Sequence, residues 1–236
     1  MTNKPQSSLL PTYEKTGDIA LKNQKTLRKL VGVLGILLPL LVYLFLQVTD
    51  NFNSVLPSIS HYYFTRAASL FEIIVSLLAV FLMIYKGEKF IDYILSTIAG
   101  LSALLMLIFP TDNLRGYQDG KFDEVAVTFF TQSNFRPTFH YICAASFLLC
   151  LAFMALFLFT KTNPSKTPTK RKRIRNWVYI ACGVNMLLAL ATAFLGKFIF
   201  PEYYDTHNFT FWMEVVALES FGVAWMIKGE AVLADK

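Results

Sequence analysis

The amino-acid sequence predicts an all-α integral membrane bundle of six transmembrane helices. The 236 residues are 55% hydrophobic and have a mean hydropathy of +0.46, whereas a soluble domain is about 45–50% apolar. Six apolar runs of about 19–24 residues follow one another, and roughly 20 helical residues cross a hydrocarbon core. The predicted spans lie at residues 30–49, 67–85, 90–109, 137–160, 176–196 and 208–227.

The first run predicts a retained span and not a cleaved signal peptide. Residues 1–29 are polar and too long for the charged start of a signal, and 30–49 exceeds the usual apolar core of a signal. We therefore expect a cytoplasmic polar tail at 1–29, one six-helix membrane domain at 30–228 and a short cytoplasmic tail at 229–236. These segments leave no room for a separate soluble domain.

The basic residues predict the orientation of the bundle. Of the 22 lysines and arginines, 17 lie before the first span, between the second and third, between the fourth and fifth, or after the sixth. Those expected on the other side are Arg66, Arg115, Lys121, Arg136 and Lys197. Because cytoplasmic loops carry the excess of lysine and arginine, we expect a protein of the bacterial inner membrane with the N- and C-termini cytoplasmic. The net charge of +6 then reflects topology, and no nucleic-acid partner is expected.

Two of the expected outer connections are long, at residues 50–66 and 110–136. The first contains "PSISHYYFTR", which is rich in serine and tyrosine. The second contains "DEVAVTFF" at 123–130, a pattern that fits either a short strand or an irregular surface segment. Both connections would cover the outward ends of the helices.

Three ionisable side chains fall at similar depths below the predicted outer boundary. They are Glu72, His140 and Glu214, on three different spans. A rise of about 1.5 Å per residue places them about 4–9 Å deep. Ionisable groups inside a membrane usually face a partner or a wet cavity. We expect a hydrogen-bonded network of these residues, which either binds a ligand or only holds the helices together.

The loop above this level adds further polar groups, so the sequence predicts an outward-facing polar pocket. Tyrosine favours the headgroup level of a bilayer. The first functional hypothesis is therefore the binding or sensing of a lipid headgroup or a small polar ligand, with membrane lipid as a partner. The predicted ligand-binding residues are Ser58, Ser60, Tyr62, Tyr63, Glu72, Arg136, His140 and Glu214.

A metal site is the alternative for the same region. All three histidines, His61, His140 and His207, are predicted on the outer side. Together with a carboxylate they could ligate zinc, although no His-x-x-x-His spacing is present and the ligands would have to converge from separate segments. This alternative predicts a metal-assisted lipid hydrolase, in which His140, either His61 or His207, and one glutamate hold the ion and the other glutamate acts as the general base.

A small proton-coupled transporter is a third interpretation. Glu219 and Asn185 are expected near the midplane, where they could hydrogen-bond and, with Glu214, form a proton path. The segments "EIIVSLLAVFLMIYKGE" and "EVVALESFGVAWMIKGE" also look like a weak repeat, and transporters often contain duplicated halves. The shared Lys-Gly-Glu ending is equally typical of an ordinary helix end.

Several segments resemble a class of bacterial six-transmembrane-helix proteins whose function is not known. They are "LPSISHYYFT", "YKGEKFIDYILSTIAGLSALLMLIFPTD", "FHYICAA" and "FWMEVVALESFGVAWMIKGE". More distantly, residues 57–60 are similar to the Pro-x-Ile-Ser that follows the first span in the DRAM/FRAG/SFK-type family, although its Pro-Glu pair is replaced here by residues 66–68. The outer serine, histidine and acid also look similar to intramembrane zinc hydrolases of the alkaline ceramidase and adiponectin-receptor superfamily. The first two resemblances imply a six-helix topology.

Overall fold

The computed structural model describes residues 16–87, 89–162 and 167–233 of the chain. Within these ranges the protein is helical and contains no strand. The α-helices are α1 (Thr16–Asp50), α2 (Ala68–Ile84), α3 (Phe90–Ile108), α4 (Phe135–Phe153), α5 (Lys170–Ile199), α6 (Pro201–Thr206) and α7 (Phe209–Lys228). A 3₁₀ segment (Ile59–Phe64) precedes α2, and a π-helical turn (Met154–Leu158) extends α4.

Five helices are long and apolar enough to cross a membrane, so the chain is a multi-pass membrane protein. These stretches are Gln24–Asp50, Phe90–Ile108, Phe135–Leu158, Lys170–Gly196 and Phe209–Lys228. The predicted span at 67–85 is also an apolar helix, α2, but it has 17 residues. At about 1.5 Å per residue its length is about 26 Å, which is shorter than a typical hydrocarbon core of about 30 Å.

Two segments take a definite local form in the structure. The segment predicted as a polar tail is helical from Thr16 onward, because contacts near the start of α1 tie it to the end of α7. The Lys25 ammonium pairs with the Glu230 carboxylate at 2.7 Å. Residues 1–15 of the predicted tail, and residues 234–236 of the second one, lie outside the described part. Residues 123–130 form a turn followed by irregular chain, which is the second of the two forms that their pattern fits.

The long helices form a ring in which each one packs against its neighbour in chain order. The order is α1, α2, α3, α4, α5 and α7, and α7 closes the ring by packing between α5 and α1. We call the end with the 3₁₀ segment, residues 109–134 and α6 the loop end. The opposite end, with Lys25, Arg28, Arg175 and Lys228, is the basic end. This closure brings the first and last long helices together.

Glycine permits a close backbone contact between α1 and α7. A Cβ placed on Gly222 of α7 would lie 2.7 Å from the carbonyl oxygen of Gly32 on α1. Real side chains do not approach this closely, so both positions need a residue without a side chain. Small residues at helix interfaces allow such backbone contact in membrane bundles. The glycine pair therefore sets the distance between α1 and α7.

Aromatic and basic side chains close the basic end. The rings of Tyr85 and Trp225 pack edge to face, with centroids 4.9 Å apart, and the Arg28 guanidinium lies 5.4 Å from the Tyr85 ring centroid. Arg28 also donates to the Lys228 carbonyl at 3.4 Å. A cation beside the last carbonyls of α7 is favourable because they carry the negative end of the helix dipole.

Candidate functional site

The 3₁₀ segment at the loop end is organised by short-range polar contacts. Ser58 and His61 share a hydrogen bond between Oγ and Nδ1 at 2.7 Å, and the Thr65 hydroxyl donates to the Tyr62 carbonyl at 2.9 Å. Serine and threonine favour such local turns because their side chains replace backbone partners. The chain thereby reverses direction between α1 and α2 and lies across the interior of the ring.

The N-terminus of α7 holds this segment from the other side. The Phe211 amide donates to the Pro57 carbonyl at 3.1 Å, and the Asn208 side-chain amide donates to the Val55 carbonyl at 3.0 Å. Asn208 itself adopts a left-handed conformation with φ of 50°, which asparagine tolerates better than most residues. These contacts fix the position of Ile59 relative to α7.

Glu214 of α7 binds the beginning of the 3₁₀ segment. Its Oε2 accepts a hydrogen bond from the Ile59 backbone N–H at 2.5 Å. The first N–H groups of a helical segment have no partner within the segment, so a carboxylate is a suitable acceptor there. Within the described residues, the hydrogen bonds include none to Oε1 of Glu214.

His140 of α4 binds the next residue of the same segment. Its Nε2 lies 3.1 Å from the Ser60 Oγ, and its Nδ1 lies 3.0 Å from the Phe109 carbonyl and 3.2 Å from the Met106 carbonyl. A carbonyl can only accept, so Nδ1 carries the proton. The ring therefore links the end of α3 to the 3₁₀ segment.

A central cavity of about 70 Å³ lies directly below these contacts. Its walls come from α1, the 3₁₀ segment, α2, α3, α4 and α7. The lining residues are Leu38, Ile59, Ser60, Phe71, Val75, Leu78, Ala103, Met106, Ala144, Phe147, Leu148, Glu214 and Leu218. Ser60 and Glu214 are the polar side chains among them, and both lie toward the loop end. The cavity is thus an apolar chamber with a polar end.

His61 is buried beside this arrangement and faces Tyr117. The two ring centroids are 5.3 Å apart. Burial and the neighbouring His140 lower the pKa of His61 to about 3, so its ring is neutral at physiological pH. Burial, and then the nearby Asp205 and Asp112, raise the pKa of Tyr117 to about 12. His61 Nε2 has no hydrogen-bond partner among the described residues.

Other predicted ligand-binding residues form a separate cluster outside the cavity. The Arg136 guanidinium lies 4.9 Å from the Phe130 ring centroid and donates to Asn113 Oδ1 at 3.4 Å. Tyr63 packs against Phe130 with centroids 6.1 Å apart. Burial first, and then the charge of Glu72, raise the pKa of Tyr63. Both residues therefore pack against the loop at 109–134 and do not line the cavity.

Two predicted residues take other roles. The ring of Tyr62 is fully buried and packs against Phe211 at a centroid distance of 6.3 Å, and burial raises its pKa. Glu72 is partly buried and makes no hydrogen bond to any described residue. The predicted Glu72–His140–Glu214 network is therefore replaced by one in which residues 59 and 60 join Glu214 to His140.

The three histidines proposed as zinc ligands do not come together. His207 is exposed, its ring stacks on Tyr203 at 4.1 Å, and its Nδ1 bonds the Tyr203 carbonyl at 3.0 Å. Across residues 16–87, 89–162 and 167–233, no group of three histidine, cysteine, aspartate or glutamate residues is placed to hold a metal ion. His61 and His140 each use a ring nitrogen on a serine hydroxyl.

The deeper pair of the transporter interpretation is not formed. Asn185 lies exposed on the outer face of α5, whereas Glu219 is partly buried on α7. The hydrogen bonds of the described chain include none between them. A continuous polar route from Glu214 toward the basic end is therefore not visible in the side chains that the structure describes.

The partners of Glu214 and His140 could not be read from the sequence. They are the backbone N–H of Ile59 and the carbonyls of Met106 and Phe109. Every residue has the same backbone groups, so residue types do not reveal these partners. The one available signal is that the first N–H groups and the last carbonyl groups of a helix lack partners within it. No family model, curated protein or solved structure matches the chain.

Proposed function

We propose that this chain is a multi-pass protein of the bacterial inner membrane that binds a small amphiphilic ligand in its central cavity. One observation carries the proposal: apolar walls surround the cavity, and its two polar side chains, Ser60 and Glu214, both lie at the loop end. Ligand sites are commonly apolar hollows with a few polar groups that fix orientation. The function is recognition of a polar end on an apolar body.

The distribution of charge supports an outward-facing loop end. Lys25, Arg28, Arg175 and Lys228 gather at the basic end, and basic residues favour the cytoplasmic side. With α2 as a short sixth span, both termini would then be cytoplasmic. The polar end of the cavity would lie near the outer headgroup level, where a lipid headgroup or the polar end of a free amphiphile can reach it.

Contact with the cavity walls would supply binding free energy for the apolar part of the ligand. Burial of apolar surface is worth roughly 25 cal/mol per Å², and Phe71, Leu78 and Phe147 present aromatic and aliphatic surface to the cavity. The volume of about 70 Å³ fits a short apolar group or the end of one chain. A ligand larger than this would keep the rest of its body outside the cavity.

The binding function is supported better than the hydrolase alternative. The hydrolase needs His140, one of His61 and His207, and a glutamate around one ion, whereas His207 stacks on Tyr203 at the protein surface and the other two histidines each bond a serine hydroxyl. The transporter alternative needs a polar connection beyond Glu214, and the wall below it continues with Leu218 and Leu78.

The test is to fill the cavity. Ala103 is fully buried and lines the wall, so Ala103→Phe places a ring in the space of the ligand. The matched control is Ala181→Phe on the exposed face of α5. We expect 1-hexanol to raise the Tm of the wild type and of the control in detergent, but not that of Ala103→Phe.

Native mass spectrometry identifies the natural source of the ligand. Protein extracted gently from bacterial membranes should retain either a phospholipid or a smaller amphiphile, and Ala103→Phe should lose it. An equal Tm shift and equal retention in Ala103→Phe and the wild type would contradict the proposed function.

A further inference from the structure

The polar end of the central cavity presents hydrogen-bond acceptors. At this end of the bundle, His140 Nδ1 bonds the carbonyls of Phe109 and Met106 at 3.0 and 3.2 Å. Carbonyl oxygens cannot donate, so Nδ1 must carry a proton. The ion pairs of the described residues, Lys25–Glu230 and Arg66–Asp50, do not include His140. A buried imidazolium without a carboxylate is costly, so the ring is neutral and Nε2 is unprotonated.

This tautomer determines what Ser60 can offer a ligand. An unprotonated Nε2 can only accept, and it lies 3.1 Å from the Ser60 Oγ. The hydroxyl has one proton, and that proton is donated to His140. Toward the cavity, the Ser60 oxygen can therefore contribute only lone pairs.

Glu214 contributes the second set of acceptors. Its Oε2 receives the Ile59 N–H, and an ionised carboxylate has no proton to donate. Neither of the two ion pairs found in the described part of the chain involves Glu214. A carboxyl group held in an apolar cavity without a counter-ion takes up a proton, whereas a cationic group in the cavity would favour the ionised form, which has only acceptors.

Building on the proposed function, we propose that the cavity binds an amphiphile with a primary ammonium head. An ammonium group has three donors and no acceptor, which complements the lone pairs of Ser60 and the carboxylate of Glu214. The alkyl chain would lie along Leu78 and Phe147, which are both buried cavity walls. An anionic head, by contrast, would find no cationic side chain among the described lining residues and would disfavour ionisation of Glu214.

Three probes with one chain length separate these cases: hexylammonium, 1-hexanol and hexyl sulfate. Binding is measured by calorimetry on the full chain in detergent at neutral pH. We expect hexylammonium to bind at least about tenfold tighter than 1-hexanol, a difference in binding free energy of about 1.4 kcal/mol. Hexyl sulfate should bind most weakly, because the described cavity lining contains no cationic side chain to pair with its head.

Variants test the named residues. Glu214→Gln keeps an acceptor oxygen for the Ile59 N–H but cannot ionise beside a bound cation, so the preference for hexylammonium over 1-hexanol should disappear while both still bind. Ser60→Ala should weaken hexylammonium binding with less effect on 1-hexanol. The matched control is Glu72→Gln, a glutamate at the same end of the bundle but outside the cavity lining, which should retain the wild-type preference.

The outcomes separate this inference from the proposed function. Equal binding of all three probes, or an unchanged preference in Glu214→Gln, would overturn the ammonium assignment and leave cavity binding intact. If no probe binds to the wild type, the proposed function and this inference both fail.

Discussion

The backbone N–H of Ile59 donates to the Glu214 carboxylate at 2.5 Å, across 155 positions of sequence. The next residue, Ser60, bonds His140. Two consecutive residues of the 3₁₀ segment therefore join α7 to α4 above the central cavity. The same contacts that position the polar end of the cavity also hold the loop end together, so their loss has consequences for both stability and binding.

Glu214→Leu should destabilise the protein, whereas Glu214→Gln should change its stability much less. Leucine leaves the Ile59 N–H buried without a partner, at a cost of about 1–3 kcal/mol, whereas glutamine retains an acceptor. Chemical unfolding in mixed micelles measures the difference. Glu72→Leu serves as the control, since Glu72 makes no hydrogen bond to the described residues. Equal losses in Glu214→Leu and Glu214→Gln would mean that the hydrogen bond is unimportant.

His140→Phe should reduce the free energy of unfolding by about 1–3 kcal/mol. The substitution leaves the Ser60 hydroxyl and the carbonyls of Met106 and Phe109 without the imidazole that joins them. His207→Phe is the control, because His207 is exposed. Thermal unfolding of the two variants and the wild type gives the Tm values to be compared. A similar Tm for both variants would argue against a linking role for His140.

Gly222→Ala should destabilise the contact between α1 and α7. The added methyl group would lie 2.7 Å from the Gly32 carbonyl oxygen, and forced overpacking typically costs about 1–3 kcal/mol. Ala181→Val, on the exposed face of α5, adds carbon where there is room. A lower Tm is expected for Gly222→Ala alone. If both variants keep the wild-type Tm, the helices can separate without cost.

Stability should fall in acid partly through His61. Its folded-state pKa is lowered to about 3 from the ordinary value of 6.5, so the neutral ring contributes fully above pH 6.5. That contribution is lost as the pH falls from 6.5 toward about 3, by up to about 1.4 kcal/mol per pH unit. Unfolding measured at pH 7, 6 and 5 should show a weaker pH dependence in His61→Gln. His207→Gln should keep the wild-type dependence, and equal slopes in all three proteins would refute the assignment.

Metal analysis tests the hydrolase alternative directly. Because His61, His140 and His207 do not gather around one point among the described residues, we expect no ion whose amount depends on His140. Elemental analysis of purified wild type and His140→Ala gives the answer. About one zinc per chain in the wild type, lost in the variant, would favour the hydrolase and contradict this expectation.

Part of the site could be predicted because membranes penalise isolated polar groups. Glu214, His140 and Ser60 stand out in apolar surroundings, and the structure brings all three to one place. Glu72 satisfies the same sequence criterion but does not line the cavity. The sequence cannot separate these cases, because depth along a helix follows from residue count, whereas the direction of a side chain follows from packing.

Composition and run length by themselves determined that the chain is helical and crosses a membrane more than once. The bilayer imposes this result, because its thickness sets the helix length and its dryness requires internal backbone hydrogen bonds. Only the tertiary structure decided that α7 closes the ring against α1, that Ile59 and Ser60 lie between Glu214 and His140, and that a cavity lies below them. Those features depend on contacts between residues far apart in the chain and on backbone groups that every residue shares, so no local pattern encodes them.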